Sequence, residues 1–414
     1  MGAPQTPATT SPAFPWVGLL TLSALIFATV TSEFLPTGLL PEIAADLKVT
    51  ESQVGLLISV FAGTVVLSAA PLAALTRKRS RKSLIIVVLL VFVVSNLLAA
   101  IAPTYGVLVV ARVLGGLAHG LFWSVVGAYS AHLVPKHQLG RAVAITGGGG
   151  TAAFVLGVPL GTALGHVLGW RLSFVVIAGF VLVLTLVTAK LLPPVRHGEV
   201  LATGEIPLPM LKDRSVPPVI LIGVIIIVVA FGHNLFYTYI APYLIGPVGI
   251  DPGAVAGVLF LYGGTGAIGL VLAGTLGDRF PQISLVVAVT GVALSVLVVG
   301  LFSDVQWIVL VAIGLWGVSF GALPSMLQAR MLHTASVRVR DAAAAYFTTS
   351  FNLAIGVGAL GGGLLLDSFG LTVLPFVDLG ITIVGLVLIV IGNVWLHRRA
   401  TAPRAHRAGR LATQ

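Results

Sequence analysis

Few ionisable residues of this 414-residue chain fall inside apolar stretches, where charge is expensive, and three of them suit proton transfer. Glu33 lies seventeen residues after Trp16, in the outer half of the first long apolar run. A carboxyl there is a neutral acid when dry and a carboxylate when water or a cation reaches it, which suits a proton carrier. A carboxylate snorkelling outward is the plainer alternative. Arg112 lies about two turns into the fourth run. It can hold Glu33 ionised, or it can brace backbone carbonyls between helices. His119 follows seven residues later, on the same helical face. Its reference pKa of ~6.5 suits a relay, and a neutral histidine bonded to a neighbour is the alternative.

A second set of residues suits binding rather than proton transfer. His233 and Asn234 read as mid-span in the seventh run, and Asn352 as mid-span in the eleventh. Neutral polar groups at that depth either bind hydroxyl-rich solutes or join helices at ~0.6 kcal/mol per bond. The cavity role is expected for Asn234 and Asn352. Trp123, Phe236 and Tyr237 offer rings that stack on a sugar or aromatic ligand, although aromatic residues in apolar helices usually pack. Asp378 reads as an interfacial residue near the outer end of the last run. Gly157, Gly161 and Gly165 recur every four residues, so one helix face stays small and admits a close neighbour. Pro159 interrupts the backbone ladder and permits bending.

The elements that must position these residues are membrane spans. Hydrophobic residues make up 57% of the chain and charged ones 9%, against about 25% charged in soluble domains. Twelve apolar runs are long enough to cross ~30 Å of hydrocarbon. The spans read are 16–39, 54–75, 84–102, 105–133, 142–168, 171–192, 219–243, 254–276, 285–302, 306–329, 342–366 and 371–396. This divides the chain into an N-terminal tail (1–15), a six-helix bundle (16–192), a polar linker (193–218), a second six-helix bundle (219–396) and a basic tail (397–414). The fold class expected is an all-α membrane protein.

Charge tests the span count. With the N-terminus inside, twenty of the 23 Lys and Arg fall on the cytoplasmic side, and only Lys48 and Arg171 fall outside; Arg112 is within a span. That asymmetry places both termini in the cytoplasm. The basic composition therefore marks span ends, not a nucleic-acid surface. The tail arginines Arg398, Arg399, Arg404, Arg407 and Arg410 suit anionic lipid. The chain has no cysteine, so disulfides and Cys-based zinc sites are excluded. No cleaved signal peptide is expected. The halves repeat: Pro41, then Thr50 to Gln53 and Gly55, parallels Pro242, then Asp251-Pro252 and Gly257. Thr50 with Gln53 fits a capping box. Arg141 precedes Gly157 by the interval at which Arg340 precedes Gly356.

Several segments resemble the major facilitator superfamily along essentially the whole chain. Gly274-Thr275-Leu276-Gly277-Asp278-Arg279 is similar to the family's loop motif after span two of a half. In the first half, Arg77 stands at the motif's Asp position. Arg112-x-x-Gly115-Gly116 is similar to the family's span-four motif. Gly157-Val158-Pro159-Leu160-Gly161, with Gly165, is similar to its exporter motif. The segments Thr31 to Pro41, Ala118 to Ser124 and Asn352 to Ala359 resemble the drug:proton antiporter group, and within it bacterial sugar efflux transporters.

The resemblance implies the major facilitator fold: twelve transmembrane helices in two pseudo-symmetric bundles. It implies efflux of a sugar, sugar-like solute or drug by proton antiport with alternating access, and hence a link to drug resistance. Glu33, Arg112 and His119 would handle the proton. Trp123, Asn234, Phe236, Tyr237 and Asn352 would meet substrate. Gly157, Pro159, Gly161, Gly165, Gly274, Asp278 and Arg279 would serve the conformational change. The expected partners are a small solute, protons and the bilayer of a bacterial cell membrane. No cofactor, metal or nucleic acid is expected, and the unit expected is a monomer. Alternatives are an uncoupled facilitator, an exporter of nucleosides or chloramphenicol-type drugs, and, remotely, a non-transporting sensor. Sodium coupling is a further possibility. No paired carboxylates, metal cluster or nucleophile triad suggests an enzyme.

Overall fold

The computed structural model describes residues 14–76, 79–135, 138–193 and 213–401. The tail residues 1–13, Arg77, Lys78, Lys136, the linker residues 194–212, and Arg404, Arg407 and Arg410 lie outside the described residues. Among the described residues, twelve helices are long and apolar enough to cross a membrane.

The first half comprises α1 (Trp16–Gly38), α2 (Leu40–Leu47), α3 (Glu51–Thr76), α4 (Arg81–Ala100), α5 (Tyr105–Leu133), α6 (Leu139–Ala152), α7 (Val158–Leu168) and α8 (Trp170–Leu191). The second comprises α9 (Val216–Tyr237), α10 (Ile240–Ile245), α11 (Val255–Arg279), α12 (Pro281–Leu301), α13 (Gln306–Thr334), α14 (Arg340–Phe369) and α15 (Leu374–Thr401). Helices α6 and α7 form one span, joined by a π-helical turn at Ala153–Gly157. The short helices α2 and α10 pack together on one face, called the capped face below.

The reading of spans holds, with one local correction. Span seven does not run on to Tyr243. It ends at Tyr237, and α10 begins at Ile240. Pro242 cannot donate to the Thr238 carbonyl, so the helix breaks one turn before it. Pro41 breaks span one before α2 in the same way. His233 and Asn234 therefore lie in the last turn or so of α9 rather than at mid-span. The capping box at Thr50 is present: the Thr50 N–H donates to Gln53 Oε1 at 2.9 Å, and the Gln53 N–H to Thr50 Oγ1 at 3.2 Å.

Close packing exposes the repeat. A Cβ at Gly116 would lie 2.7 Å from the Phe61 carbonyl oxygen and 2.8 Å from Thr64 Cβ. A Cβ at Gly317 would lie 2.3 Å from the Tyr262 carbonyl oxygen and 2.2 Å from Thr265 Oγ1. Gly120 meets the Val65 carbonyl as Gly321 meets that of Gly266. Each pair of equivalents is offset by 201 positions. The register also matches Gly157, which abuts α1, with Gly358, which abuts α9, rather than with Gly356. Under it, Glu33 corresponds to Asn234 and His119 to Phe320.

The halves meet through α3 against α14 and through α11 against the span made by α6 and α7. Only glycine at 263 admits the second crossing: a Cβ would lie 2.2 Å from the Phe154 carbonyl oxygen, in the π-turn. On the capped face, Ser52 Oγ donates to Asp367 Oδ2 across the halves at 2.8 Å. Tyr239 Oη donates to the Ala359 carbonyl at 2.8 Å and occupies the space a Cβ at Gly55 would take. Exposed Leu, Val and Phe side chains cover the outward helix faces, as lipid contact requires.

Candidate functional site

The site begins with a proline. Pro36 lies inside α1 and has no N–H, so the Ser32 carbonyl loses its helical donor. Arg112 of α5 takes that place. Its Nη1 donates to the Ser32 carbonyl at 2.9 Å, and its Nη2 to the Glu33 carbonyl at 2.7 Å. The guanidinium also lies over the Phe61 ring, 4.3 Å from its centroid. A planar fork suits two neighbouring carbonyls, and an arginine can leave water only when so engaged. Of the two roles open to Arg112 in the sequence, the geometry is that of the brace: no ion pair joins it to the Glu33 carboxyl. Ser32 also reaches α4, where its Oγ donates to Asn96 Oδ1 at 2.8 Å.

The Glu33 carboxyl faces His119 instead. Its Oε2 is 3.4 Å from His119 Nε2, and the two residues are 4% and 1% exposed. The same nitrogen accepts from Trp123 Nε1–H at 2.6 Å. Phe61, Phe92 and Phe122 enclose the imidazole. Among the described residues, Glu33 Oε1 and His119 Nδ1 have no hydrogen-bond partner. The neutral ring has one lone pair, and the indole occupies it. An imidazole Nε2–H directed at Glu33 would require Trp123 to swing away. Proton position and Trp123 orientation are therefore linked.

The structure brings Glu33, Arg112, His119 and Trp123 together. The other residues expected at the site are spread out. Asn234 and Asn352 each donate to their own helix, to the Ala230 carbonyl at 2.8 Å and the Thr348 carbonyl at 3.0 Å. Phe236 is enclosed, stacked on Trp316 with centroids 5.2 Å apart. Tyr237 packs on His233 and Tyr262 and reaches Phe154 of the first half, with centroids 6.5 Å apart. Asp378 is not interfacial as read from the sequence. It is fully buried, because α9 presents Gly232 opposite it.

Gly157, Gly161 and Gly165 all meet α1: a Cβ would lie 1.9 Å from Thr31 Oγ1, 2.6 Å from Leu35 and 2.4 Å from Leu39 respectively. Pro159 follows the π-turn, where the ladder lacks its donor. Gly274 has open space around its Cβ position, and the Arg279 guanidinium lies over Phe280. The Asp278 side chain lies outside the described residues.

Sequence reasoning missed three contributors. Asn96 carried no signal, since one amide in an apolar helix does not reveal its partner. Glu42 of α2 pairs with His166 Nδ1 of α7 at 2.6 Å. Asp46 pairs with Arg171 and accepts from Trp170 Nε1 at 3.1 Å. Arg171 falls on the side otherwise poor in cations, and that was the available signal. Arg171 hydrogen-bonds Asp46 and holds its carboxyl below the usual range, with the Trp170 bond adding to the effect.

Two interlocked six-helix bundles, crossing at glycines and holding ionisable residues in a dry interior, form a multi-pass membrane transporter. Residues 22–336 and 222–413 match the Major Facilitator Superfamily model, and the chain belongs to that family. It is 33% identical over 363 residues to a probable sugar efflux transporter of Helicobacter pylori, covering 87% of this chain and 90% of the relative. A probable sugar efflux transporter of Helicobacter acinonychis is similar to the same extent. In fold, the chain is similar to a bacterial homologue of the human lysosomal transporter Spinster in an inward-facing, unoccupied conformation (TM-score 0.71, 17% identity, 92% and 96% of the two chains). It is likewise similar to the nucleoside transporter NupG (TM-score 0.73, 12% identity, 90% and 98%). Family membership makes the protein a membrane transporter rather than an enzyme.

Proposed function

We propose that the protein exports a sugar or sugar-like solute in exchange for protons, by alternating access, as a monomer in a bacterial cell membrane with both termini in the cytoplasm. The one observation that carries the reading is the Glu33–His119 contact, with Arg112 engaged on backbone rather than on the carboxylate. Among the described residues, no Lys or Arg forms an ion pair with the carboxyl, which leaves His119 as the group that shares its proton. A proton passed to His119 Nε2 displaces Trp123, and a solute stacked on Trp123 resists that displacement. Solute and proton then exclude one another, which is the linkage an antiporter needs. The twenty-to-two distribution of basic residues supports the orientation. The resemblance to probable sugar efflux transporters supports a sugar as the solute.

Glu33→Gln tests the reading in proteoliposomes loaded with radiolabelled sugars. Export driven by a pH gradient is expected to stop, while counterflow without a gradient continues. Undiminished gradient-driven export would overturn it. Nucleosides and phenicol-type drugs in the same assay establish the solute range.

A further inference from the structure

The second half contains a carboxyl that the proton pathway above does not use. Asp378 of α15 is 0% exposed. Its Oδ1 accepts one bond, from Thr382 Oγ1 one turn along at 3.0 Å. Among the described residues, its Oδ2 has no partner and no cation forms an ion pair with it. The cavity for the carboxyl is built: a Cβ at Gly232 would lie 2.7 Å from Oδ1, so α9 must present a glycine there. An ionised carboxyl with a single hydroxyl donor, surrounded by apolar helices, is costly.

Beside Gly232, His233 gathers a cluster of titratable rings. From α11, the Tyr262 hydroxyl lies 3.5 Å from His233 Nε2. From α9, His233 is 4% exposed, with Nδ1 unpartnered, and Tyr237 stacks beside it with centroids 5.1 Å apart. Helix α12 has no titratable residue. Helix α14 brings Asp367, which is exposed and bonded to Ser52. From α13, the Trp316 indole N–H is also buried and unpartnered. The repeat gives this cluster a counterpart role: its ring stack on Phe320 occupies the position equivalent to His119.

We propose that Asp378 is a second proton-binding site, in the C-terminal bundle and separate from Glu33, with Tyr262 and His233 as the path by which its proton exchanges. Each of these groups holds or passes a proton without a covalent change. The proposal extends the proton-exchange reading of the first bundle but is measured independently of it.

Infrared pH-difference spectra of the purified wild type, E33Q, D378N and T382V test it through the carbonyl stretch of neutral carboxyl groups. A band lost in D378N, retained in E33Q, shifted in T382V and changing across spectra taken from about pH 5 to about pH 9 is expected. T382V removes only the hydroxyl donor, so it keeps the test informative if D378N does not fold. A wild-type band that D378N leaves in place, or one that is constant across that range, overturns the proposal. If E33Q changes no band while D378N does, the Glu33 reading fails and this one stands.

Discussion

Arg112 grips the backbone of Glu33, not its carboxyl: its Nη2 donates to the Glu33 carbonyl at 2.7 Å, while Oε2 turns to His119. Two residues adjacent in charge are thereby separated in duty. The arginine braces the backbone of α1, and the carboxyl is left to His119.

Arg112→Lys should cost about 2 kcal/mol of stability, since an ammonium cannot reproduce the fork and bonds to charged donors contribute about 1.5–3 kcal/mol. Pro36→Ala returns a helical N–H to the Ser32 carbonyl, so the same lysine change should cost less on that background. Thermal unfolding of the four proteins of this cycle in detergent measures the coupling; equal losses on both backgrounds would refute it.

A disulfide can test alternation directly, because the chain has no native cysteine. A Cβ at Gly363 would lie 3.3 Å from that of Ser52 across the capped face, near the ~3.8 Å typical of disulfides. Ser52→Cys with Gly363→Cys should cross-link under mild oxidation and stop export, with recovery on reduction. Full export by the cross-linked protein would exclude opening at this face.

Gly157→Ala should slow export and lower stability by about 1–3 kcal/mol, the usual penalty for overpacking. The new methyl meets Thr31 Oγ1 at 1.9 Å, whereas Thr31 Cβ is 3.0 Å away. Adding Thr31→Ala removes the hydroxyl and should restore most of the loss. Melting temperature and initial export rate together check this.

Asp46→Asn should lower stability slightly at pH 7, by less than about 1 kcal/mol, because the pair with Arg171 is well exposed and screened. The Asp46 carboxyl is depressed below its ordinary 3.8. Its contribution is thus complete above that value and disappears as pH falls through the folded-state value. The wild type and variant should converge only in strong acid, and a difference that changes between pH 5 and 8 would contradict the assignment.

The spans and their grouping were legible because hydropathy and basic-residue placement act over whole helices. The facing of Glu33 and His119 was half legible: helical spacing puts Arg112 and His119 on one face, but the helix they face is not in the spacing. What was hidden depends on atoms from other helices. The carbonyl left by Pro36 means nothing until Arg112 arrives, and Asp378 reads as interfacial until Gly232 is seen opposite it. The break before α10 was masked because Pro242 lies within a continuous apolar run.

The proline in α1 has a mechanical consequence. A helix whose ladder is interrupted at Ser32 flexes there, and the fork of Arg112 pins that joint to α5. The segment beyond it, from Pro36 through α2, is then a lever arm hinged on another helix. A tilt of α5 would carry with it α2, which packs on α10 across the capped face. The joint that positions the acid is thus also the point at which the two bundles' outer ends are tied to α5.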